Sequence, residues 1–247
     1  MRSLILSDIH ANLEALDAVL AAAPPASYDR LLILGDLVGY GANPNEVVDR
    51  VLALSPDVLI RGNHDKVAAG LENAESFNYL AAQAAHWTHD TLTPDNRARV
   101  AELPAGPLPV DDEIEVCHGA PFDEDAYVFE IEDAVQAFDA ATRPLCLFGH
   151  THVAVAYVRD DDRLSVTVPD LDDGLTLPIQ PRLRYLVNPG SVGQPRDGDP
   201  RAAYATFDSD TAELVLRRAA YPIDVAQQKI IQAGLPESLA HRLGLGR

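Results

Sequence analysis

Polar side chains that can bind metals or move protons follow five short apolar runs in this sequence. One apolar run, at positions 58–60, ends at the segment Arg61-Gly62-Asn63-His64-Asp65. The side chains that follow the other four runs are Asp8, His10, Asp36, His118, His150 and His152. Carboxylate, amide and imidazole ligands without a thiolate suit Mn, Fe, Ni or Zn at hydrolytic sites better than a structural zinc cage. These residues therefore predict a metal centre that performs chemistry.

Each apolar run is typical of a short buried β-strand. In an open α/β sheet the carboxyl ends of the strands form the crevice where ligands bind, so we expect the polar residues after these strands to meet at one rim. Because side chains alternate along an extended chain, Asp8 and His10 are expected to project together, and so are His150 and His152. Each of these pairs could hold one ion.

Apolar residues at helical spacing predict helices between the first strands. Asn12 can cap a helix that ends before Pro24. Asn43 precedes Pro44 at the first position of a second helix, with Glu46 three residues after the cap. Right-handed strand–helix–strand units of this kind make the first three strands parallel.

The sequence after the Asn63 segment predicts a helical insertion, followed by a series of antiparallel strands. Residues 77–104 predict two helices that wall the site, and we interpret His86 and His89 there as a polar helix end, not a third metal site. Beyond His152, alternating residues predict a hairpin over 153–168, with the acidic turn 160–163. Further antiparallel strands are predicted at 184–187, 202–207 and 213–217. Residues 222–247 predict a helical tail that covers a sheet edge or a dimer contact.

Length and composition predict one globular domain over residues 1–247. The hydrophobic fraction of 47% is enough for a sizeable core. The first apolar run is too short for a signal peptide, and no stretch has the roughly 20 apolar residues of a membrane helix. Cys117 and Cys146 lie within predicted strands, where free cysteine behaves as a small hydrophobe, and two cysteines make a disulfide framework improbable. We therefore expect a cytoplasmic protein.

The charge is strongly negative. The net charge is −19, with two lysines against 17 arginines. Such a surface repels nucleic acid, and its excess of aspartate with scarce lysine suggests a high-salt cytoplasm, where screening makes the repulsion tolerable. Arg196 and Arg201 lie in or near a turn-rich loop at 188–198, where they could either reach an anionic substrate or pair with the surrounding acids.

The five polar blocks together resemble those of the calcineurin-like metallophosphoesterases. In order, they are Asp8-x-His10, Gly35-Asp36, Gly62-Asn63-His64-Asp65, His118-Gly119 and Gly149-His150-x-His152. The run Asn188-Pro189-Gly190-Ser191 is similar to a bacterial and archaeal branch related to the small YfcE-like phosphodiesterases. The resemblance implies an α/β fold, a four-layer α/β/β/α sandwich of two mixed β-sheets with the metals at one end.

The resemblance also implies a ligand set and a reaction. It assigns Asp8, His10, Asp36 and His152 to a first metal, and Asp36, Asn63, His118 and His150 to a second, with Asp36 bridging the two. A hydroxide held between two divalent ions would attack the phosphorus of a small phosphoester or nucleotide in line with the leaving group, without a covalent phosphoenzyme.

Three further roles are implied by position in the resembling motifs. His64 is the expected leaving-group acid, and Asp65 is expected to fix its tautomer. Arg61 either contacts phosphate or forms a salt bridge with the acidic surround. Ala11 stands where relatives usually have glycine, and we expect it to take a negative φ and narrow the pocket by a methyl group.

Two other functions remain open at this point. A non-catalytic interaction scaffold of the same fold usually loses metal ligands, whereas every ligand position is filled in this sequence. A metal-dependent nuclease would need a basic groove, against which the acidic composition weighs. The substrate and the native metal are not indicated by these patterns, and a homodimer is compatible with them.

Overall fold

The computed structural model describes residues 1–161, 163–170 and 174–247 as strands and helices around two β-sheets. The strands are β1 (Arg2–Leu6), β2 (Arg30–Ile33), β3 (Val58–Leu59), β4 (Leu108–Pro109), β5 (Ile114–Val116), β6 (Leu145–Leu147), β7 (Val155–Asp160), β8 (Arg163–Thr167), β9 (Leu175–Pro178), β10 (Arg184–Asn188), β11 (Ala202–Asp208) and β12 (Glu213–Ala219). The α-helices are α1 (Leu13–Ala22), α2 (Pro44–Ala53), α3 (Asn63–Ala69), α4 (Tyr79–Thr91), α5 (Pro94–Ala101), α6 (Ile131–Ala140), α7 (Ile223–Gln232) and α8 (Glu237–Leu243).

Both sheets mix parallel and antiparallel pairs. In the described chain, the first sheet has the order β3-β2-β1-β11-β12-β9 and the second has the order β4-β5-β6-β10-β7-β8. Strands β1, β2 and β3 are parallel, as the short crossover helices predict. In the second sheet β5 and β6 are parallel to each other. The five strands that precede the polar blocks are therefore divided between two sheets.

The layers follow from three clusters of buried side chains. Leu16 and Val19 of α1 pack with Leu4 and Leu6 on the outer face of the first sheet, in a cluster that α2, α7 and α8 also enter. The inner faces of the two sheets meet in a second cluster. Phe138 of α6 packs on the outer face of the second sheet in a third cluster. The arrangement is helix, sheet, sheet, helix, which confirms the four-layer prediction.

The antiparallel second half of the chain contributes to both sheets. Strands β7 and β8 form the predicted hairpin; within its acidic turn, Asp162 lies outside the described residues. Strands β11 and β12 pair with each other and join the first sheet beside β1. Strand β10 lies in the second sheet, antiparallel to β7 but parallel to β6.

The predicted helix starts are confirmed, but one predicted cap is wrong. The Asn12 side chain accepts a hydrogen bond from the backbone N–H of Ala15, at 3.1 Å. Asn43 precedes α2 without capping it; its Oδ1 accepts from Lys229 Nζ at 3.1 Å instead. The segment at 77–104 contains α4 and α5. Sequence patterns did not predict α3, α6, β4 or β9.

The C-terminal tail packs against the helical face of the first sheet. Ala226 and Ile230 of α7 and Leu239 and Leu243 of α8 are buried in the same cluster as α1. Lys229 forms an ion pair with Glu14 of α1. The tail therefore covers a sheet face through α1. Among the described helices, we find none with the length and apolar character that crossing a bilayer requires.

Adjacent isoleucines in α7 offer a matched test of this packing. Ile230 is 3% exposed and Ile231 is 45% exposed. We expect Ile230→Ala to lower the free energy of unfolding by about 2–5 kcal/mol, because a buried cavity replaces the lost side chain. We expect Ile231→Ala to change it by less than about 1 kcal/mol. Chemical denaturation measures both, and equal losses would contradict the docking of α7.

Candidate metal centre

The ligand-type residues do not continue the strands that precede them. Their backbone angle φ is +53° at Asp8, +48° at His10, +53° at Asp36, +67° at His150 and +60° at His152. These angles lie in the left-handed region, which costs a non-glycine residue roughly 1–2 kcal/mol. The expectation that extended alternation aligns each pair is therefore wrong. The side chains converge because the backbone turns sharply after each strand.

Backbone hydrogen bonds between the turns hold this conformation. The N–H of Asp8 donates to the carbonyl of Gly35 at 3.1 Å, and the N–H of His10 donates to the carbonyl of Asp36 at 2.9 Å. Gly62 lets the turns approach closely, since a Cβ at that position would lie 2.1 Å from Asp36 Oδ1. A Cβ at Gly149 would likewise lie 2.0 Å from Ser7 Oγ.

The loop that begins at Asn188 supports the same turns from behind. The Asn188 side-chain amide donates to the carbonyl of Gly149 at 2.7 Å and to Thr151 Oγ1 at 2.9 Å. The Ser191 hydroxyl donates to the carbonyl of Asp8 at 2.7 Å. All these polar groups are buried or lie on buried residues. The Asn-Pro-Gly-Ser run therefore positions the candidate ligands rather than providing ligands itself.

The described residues contain two groups of side chains that could each hold a metal ion. Within each group, the candidate ligand atoms lie within 4.8 Å of one another. The first group is Asp8, His10, Asp36 and His152, and the second is Asp36, His118 and His150. Asn63 adjoins the second group, with its Oδ1 3.2 Å from His118 Nε2. The seven residues that the sequence singled out as ligands therefore lie together.

Three of the imidazoles are oriented by backbone carbonyls. His10 Nδ1 lies 3.0 Å from the carbonyl of Val38, and His118 Nδ1 lies 2.8 Å from the carbonyl of Leu34. His152 Nδ1 lies 2.7 Å from the carbonyl of Gln194. A carbonyl only accepts, so each Nδ1 carries a proton, and in its neutral form each ring presents a lone pair at Nε2. This is the usual orientation of a metal-binding histidine.

The lone pairs converge where a cation is needed. His10 Nε2 and His152 Nε2 lie 3.0 Å apart, and with both Nδ1 atoms protonated neither has a hydrogen for the other. His150 Nε2 is buried, and no residue in the described part of the chain forms a hydrogen bond with it. Because facing lone pairs repel and unpaired buried acceptors are costly, a divalent cation fits this donor set.

Asp36 lies between the two groups. Its Oδ1 accepts from the backbone N–H of His64 at 2.9 Å. Its Oδ2 has no hydrogen-bond partner among the described residues and lies 3.4 Å from both His10 Nε2 and His118 Nε2. One carboxylate oxygen thus faces both donor groups, which is the placement that a bridging ligand requires.

Burial keeps most of the imidazoles neutral. It holds the pKa of His10 and of His152 well below the ordinary value and lowers the pKa of His150 to about 3. Neutral imidazole is the form that binds metal ions.

His118 differs because carboxylates surround it. Burial alone would lower the pKa of its ring, but Asp36 and Asp8 outweigh burial and raise that pKa to about 10. Burial would raise the pKa of Asp36, but the neighbouring histidines, His118 foremost, hold it well below its usual range. Burial raises the pKa of Asp8 to about 6. The negative charge at the centre therefore demands a positive partner.

His64 lies in the site, but Asp65 does not contact its ring nitrogens. The Asp65 carboxylate accepts from the backbone N–H groups of Gly62, Leu37 and Val38, at 3.0–3.2 Å. His64 Nδ1 is buried without a hydrogen-bond partner, and burial lowers the pKa of this ring to about 4. The hydrogen bond expected to fix the His64 tautomer is therefore not formed. Asp65 ties the start of α3 to the turn after Asp36.

The arginines divide between ion pairs and the site. Arg61 forms a two-pronged ion pair with Glu124, with N–O distances of 3.0 and 3.2 Å. Arg201 pairs with Asp199, at 2.6 Å. Arg196 forms no ion pair among the described residues, and its guanidinium lies 5.6 Å from the ring centroid of Tyr40. Arg201 therefore takes the second of the two alternatives, an ion pair with a surrounding acid, whereas contact of Arg196 with an anionic substrate stays a prediction.

A small pocket opens onto the candidate ligands. It holds about 160 Å³ of empty space, with the open solvent at its mouth included. Its described lining residues are Asp36, Tyr40, Asn63, His64, Tyr127, His150, His152 and Arg196. Tyr40 and Tyr127 were not predicted from sequence, because neither belongs to one of the polar blocks. A guanidinium beside so many ligand-type groups suits an anion that also contacts bound cations.

Ala11 takes the conformation that glycine would favour. Its φ is +51°, its side chain is fully buried, and its N–H donates to the carbonyl of Leu37 at 2.8 Å. The expectation of a negative φ is therefore wrong. The turn after β1 keeps its left-handed backbone despite the added methyl group.

Other candidate groups lie outside the centre. His89 Nδ1 bonds the carbonyl of Ala68 at 2.8 Å, and His86 is exposed, so the pair forms a polar helix surface. Cys117 and Cys146 are buried with their sulfur atoms 3.7 Å apart, and Cys117 Sγ faces the carbonyl of Gly119. Neither thiol belongs to a candidate ligand group.

Comparisons with known proteins agree with this geometry. A family model described as calcineurin-like phosphoesterase superfamily domain matches residues 1–212. The chain is 35% identical to the uncharacterized protein MJ0912 of Methanocaldococcus jannaschii, over 98% of this chain and 97% of that protein. Its structure is similar to that of a metallophosphoesterase from Sphaerobacter thermophilus, with 40% identity, a TM-score of 0.89, and coverage of 100% and 99% of the two chains.

A more distant structure shares the fold alone. The hypothetical protein PH1004 from Pyrococcus horikoshii OT3 is 19% identical, with a TM-score of 0.76 over 100% of this chain and 98% of that chain.

The bridging position of Asp36 generates a prediction about metal binding. Asp36→Asn keeps an oxygen for the His64 N–H but removes the charge that faces both groups. We expect the variant to lose at least one bound transition-metal ion per chain, measured by mass spectrometry after dialysis. Metal at about 100 times its dissociation constant should stabilise the unsubstituted protein by about 2.7 kcal/mol, and the variant by less. Equal metal content in the two proteins would contradict the bridging role.

Proposed function

The chain belongs to the calcineurin-like phosphoesterase superfamily, and we propose that it hydrolyses small phosphate monoesters or diesters with two divalent transition-metal ions. The observation that carries the proposal is the position of Asp36 Oδ2, 3.4 Å from an imidazole nitrogen of each donor group. Carboxylate, amide and imidazole ligands without thiolate favour Mn, Fe, Ni or Zn. Such ions, when bound, would activate water and offset charge on the attacking and leaving oxygens.

The ligands divide into two sets around Asp36. Asp8, His10 and His152 would complete the first set, whereas Asn63, His118 and His150 would complete the second. The carbonyl-bound Nδ1 atoms of His10, His118 and His152 keep the three rings in place before a substrate enters. A site preorganised in this way loses little free energy to rearrangement during the reaction.

Arg196 is the proposed phosphate contact. Its Nε is buried and has no hydrogen-bond partner within residues 1–161, 163–170 and 174–247, and its Nη2 donates to Gln194 Oε1 at 3.1 Å. The guanidinium therefore keeps unused donors in the lining of the pocket. Arg61 is the weaker candidate for this role, because both prongs of its fork are engaged by Glu124.

His64 is the proposed proton donor to the leaving oxygen. Its ring lines the pocket, 4.9 Å from the ring centroid of His10, and packs against Phe77 at 4.5 Å. Phe77 precedes α4, so the predicted wall of the site is in contact with this ring. Burial keeps this ring neutral, so it would act as the acid only once the negative charge of a bound phosphoester raises its pKa and protonates it.

Two other functions have less support. An interaction scaffold needs no complete ligand set, whereas this chain keeps seven ligand-type residues in contact distance. A nuclease needs a basic groove, whereas this chain has a net charge of −19. The pocket volume of about 160 Å³ also suits a phosphate group more than a duplex.

The role of His64 can be tested by comparing leaving groups. We expect His64→Ala to keep its metal content and to lower kcat for an alkyl phosphate by roughly 10²–10⁴-fold, because that leaving group needs a proton. The kcat for nitrophenyl phosphate should fall much less, because its leaving group is stable as an anion. His86→Ala, which removes an exposed imidazole, is the control. Equal losses on both substrates would rule out the acid role.

The role of Arg196 can be tested with two replacements. Arg196→Met should raise KM roughly 10- to 100-fold with unchanged metal content, because a charged hydrogen bond to phosphate contributes about 1.5–3 kcal/mol. Arg196→Lys should recover part of this loss, since it restores the charge without the fork. Steady-state kinetics on one substrate measures both. An unchanged KM in the methionine variant would remove Arg196 from the phosphate site.

A further inference from the structure

An aromatic stack extends from the metal centre toward solvent. The ring of Tyr127 lies parallel to the ring of His150, with centroids 3.9 Å apart and an interplanar angle of 21°. Phe129 stacks on Tyr127 with centroids 5.4 Å apart at 14°. Tyr127 is 48% exposed and Phe129 is 52% exposed. Two large aromatic side chains therefore stand in water at the edge of the proposed active site.

The pocket itself is too small for a whole organic phosphoester. The empty space in it is about 160 Å³ even with the open solvent at its mouth included, whereas sites that enclose a small organic ligand commonly measure roughly 300–1,000 Å³. A phosphate group fits beside Arg196 and the candidate ligands. The organic part of the substrate must then lie at the rim of the pocket. Tyr127 lines that pocket and connects it to Phe129.

The stack is held in place by ion pairs on one side. Lys66 of α3 is 6% exposed and pairs with Asp125 at 2.5 Å and with Glu124 at 3.3 Å. Arg61 pairs with the same Glu124. These contacts attach the segment just before Tyr127 to the start of α3, which also carries Asn63 and His64. Arg61 thus acts here as a positioning residue.

The other side of the stack is fixed by backbone hydrogen bonds. The N–H of Phe129 donates to Asp133 Oδ2 at 3.1 Å, and its carbonyl accepts from the Tyr157 hydroxyl at 3.0 Å. Both bonds leave the phenyl ring free. Because Tyr127 already stacks on both His150 and Phe129, the exposed ring of Phe129 offers the free face to a flat partner, and its hydrogen-bonded backbone loses little freedom on binding.

We propose that Tyr127 and Phe129 form a stacking platform that selects phosphoesters carrying a planar aromatic group, such as the base of a nucleotide. The proposal rests on the proposed phosphoesterase function and adds its substrate class. Aromatic side chains stack on the face of any base, so the platform favours nucleotides but does not distinguish one base from another. The acidic surface disfavours long polyanions, which leaves small nucleotides as the matching substrates.

The first test measures binding without turnover. Adenosine and ribose differ by the base and carry no phosphate, so their dissociation constants from the full-length protein can be compared by titration calorimetry. We expect adenosine to bind at least about tenfold more tightly, or ~1.4 kcal/mol. Phe129→Leu should reduce this ratio several-fold, because leucine keeps apolar area but has no ring face. Tyr79→Leu, which removes an exposed tyrosine on α4, should leave the ratio unchanged.

The second test measures turnover by the metal-loaded protein. In the unsubstituted protein, kcat/KM for adenosine monophosphate should exceed that for ribose 5-phosphate by more than about tenfold. In Phe129→Leu this ratio should fall because KM for adenosine monophosphate rises, while kcat and metal content are retained. Phe129→Leu is the decisive variant, since Tyr127→Leu would also disturb His150.

The outcomes separate the two proposals. If no phosphoester, bis(nitrophenyl) phosphate included, is hydrolysed with any of the four metals, the proposed function fails, while adenosine binding still decides the platform. If esters are hydrolysed but adenosine and ribose bind equally, the platform is overturned and the function stands. A dimer that Phe129→Leu converts to monomer in sedimentation would instead make the stack a protein contact and overturn the platform.

Discussion

The buried negative charge of Asp36 is the constraint on which the centre depends. A carboxylate removed from water is costly unless positive charge or donors surround it. One oxygen of Asp36 is satisfied by the His64 N–H, and the other faces two imidazole nitrogens at 3.4 Å. The absence of a Cβ at Gly62 makes room for this carboxylate. The surrounding turns are therefore arranged around the Asp36 carboxylate, whose negative charge a cation in each donor group would stabilise.

The composition of the centre could be predicted from sequence, but its backbone could not. Short apolar runs followed by Asp, Asn and His indicated which strand ends carry the candidate ligands, because burial and ligand chemistry are local properties of residue types. The left-handed turns at Asp8 and His150 depend on hydrogen bonds from Ser191 and Asn188, far along the chain. Alternation along a strand therefore paired Asp8 correctly with His10, but it also paired His150 with His152, which lie in different groups.

Side-chain partners were the least predictable feature. Asp65 lies next to His64 in sequence, yet its carboxylate is taken by three backbone N–H groups. Arg61 lies beside the proposed ligand Asn63 but pairs with Glu124, 63 positions away. In both cases a partner brought by the fold replaced the partner suggested by the motif. Tyr127 was missed for the same reason, since its relation to His150 exists only in three dimensions.

A single loop couples the proposed metal ligands to the proposed phosphate contact. The carbonyl of Gln194 orients His152, and the side chain of the same residue accepts from Arg196. The N–H of Arg196 in turn donates to the carbonyl of His152 at 3.0 Å. A shift of this loop would therefore move an imidazole and a guanidinium together. Because their relative positions are fixed by short hydrogen bonds, an anion held by Arg196 would meet the centre in one geometry, which is what in-line displacement at phosphorus requires.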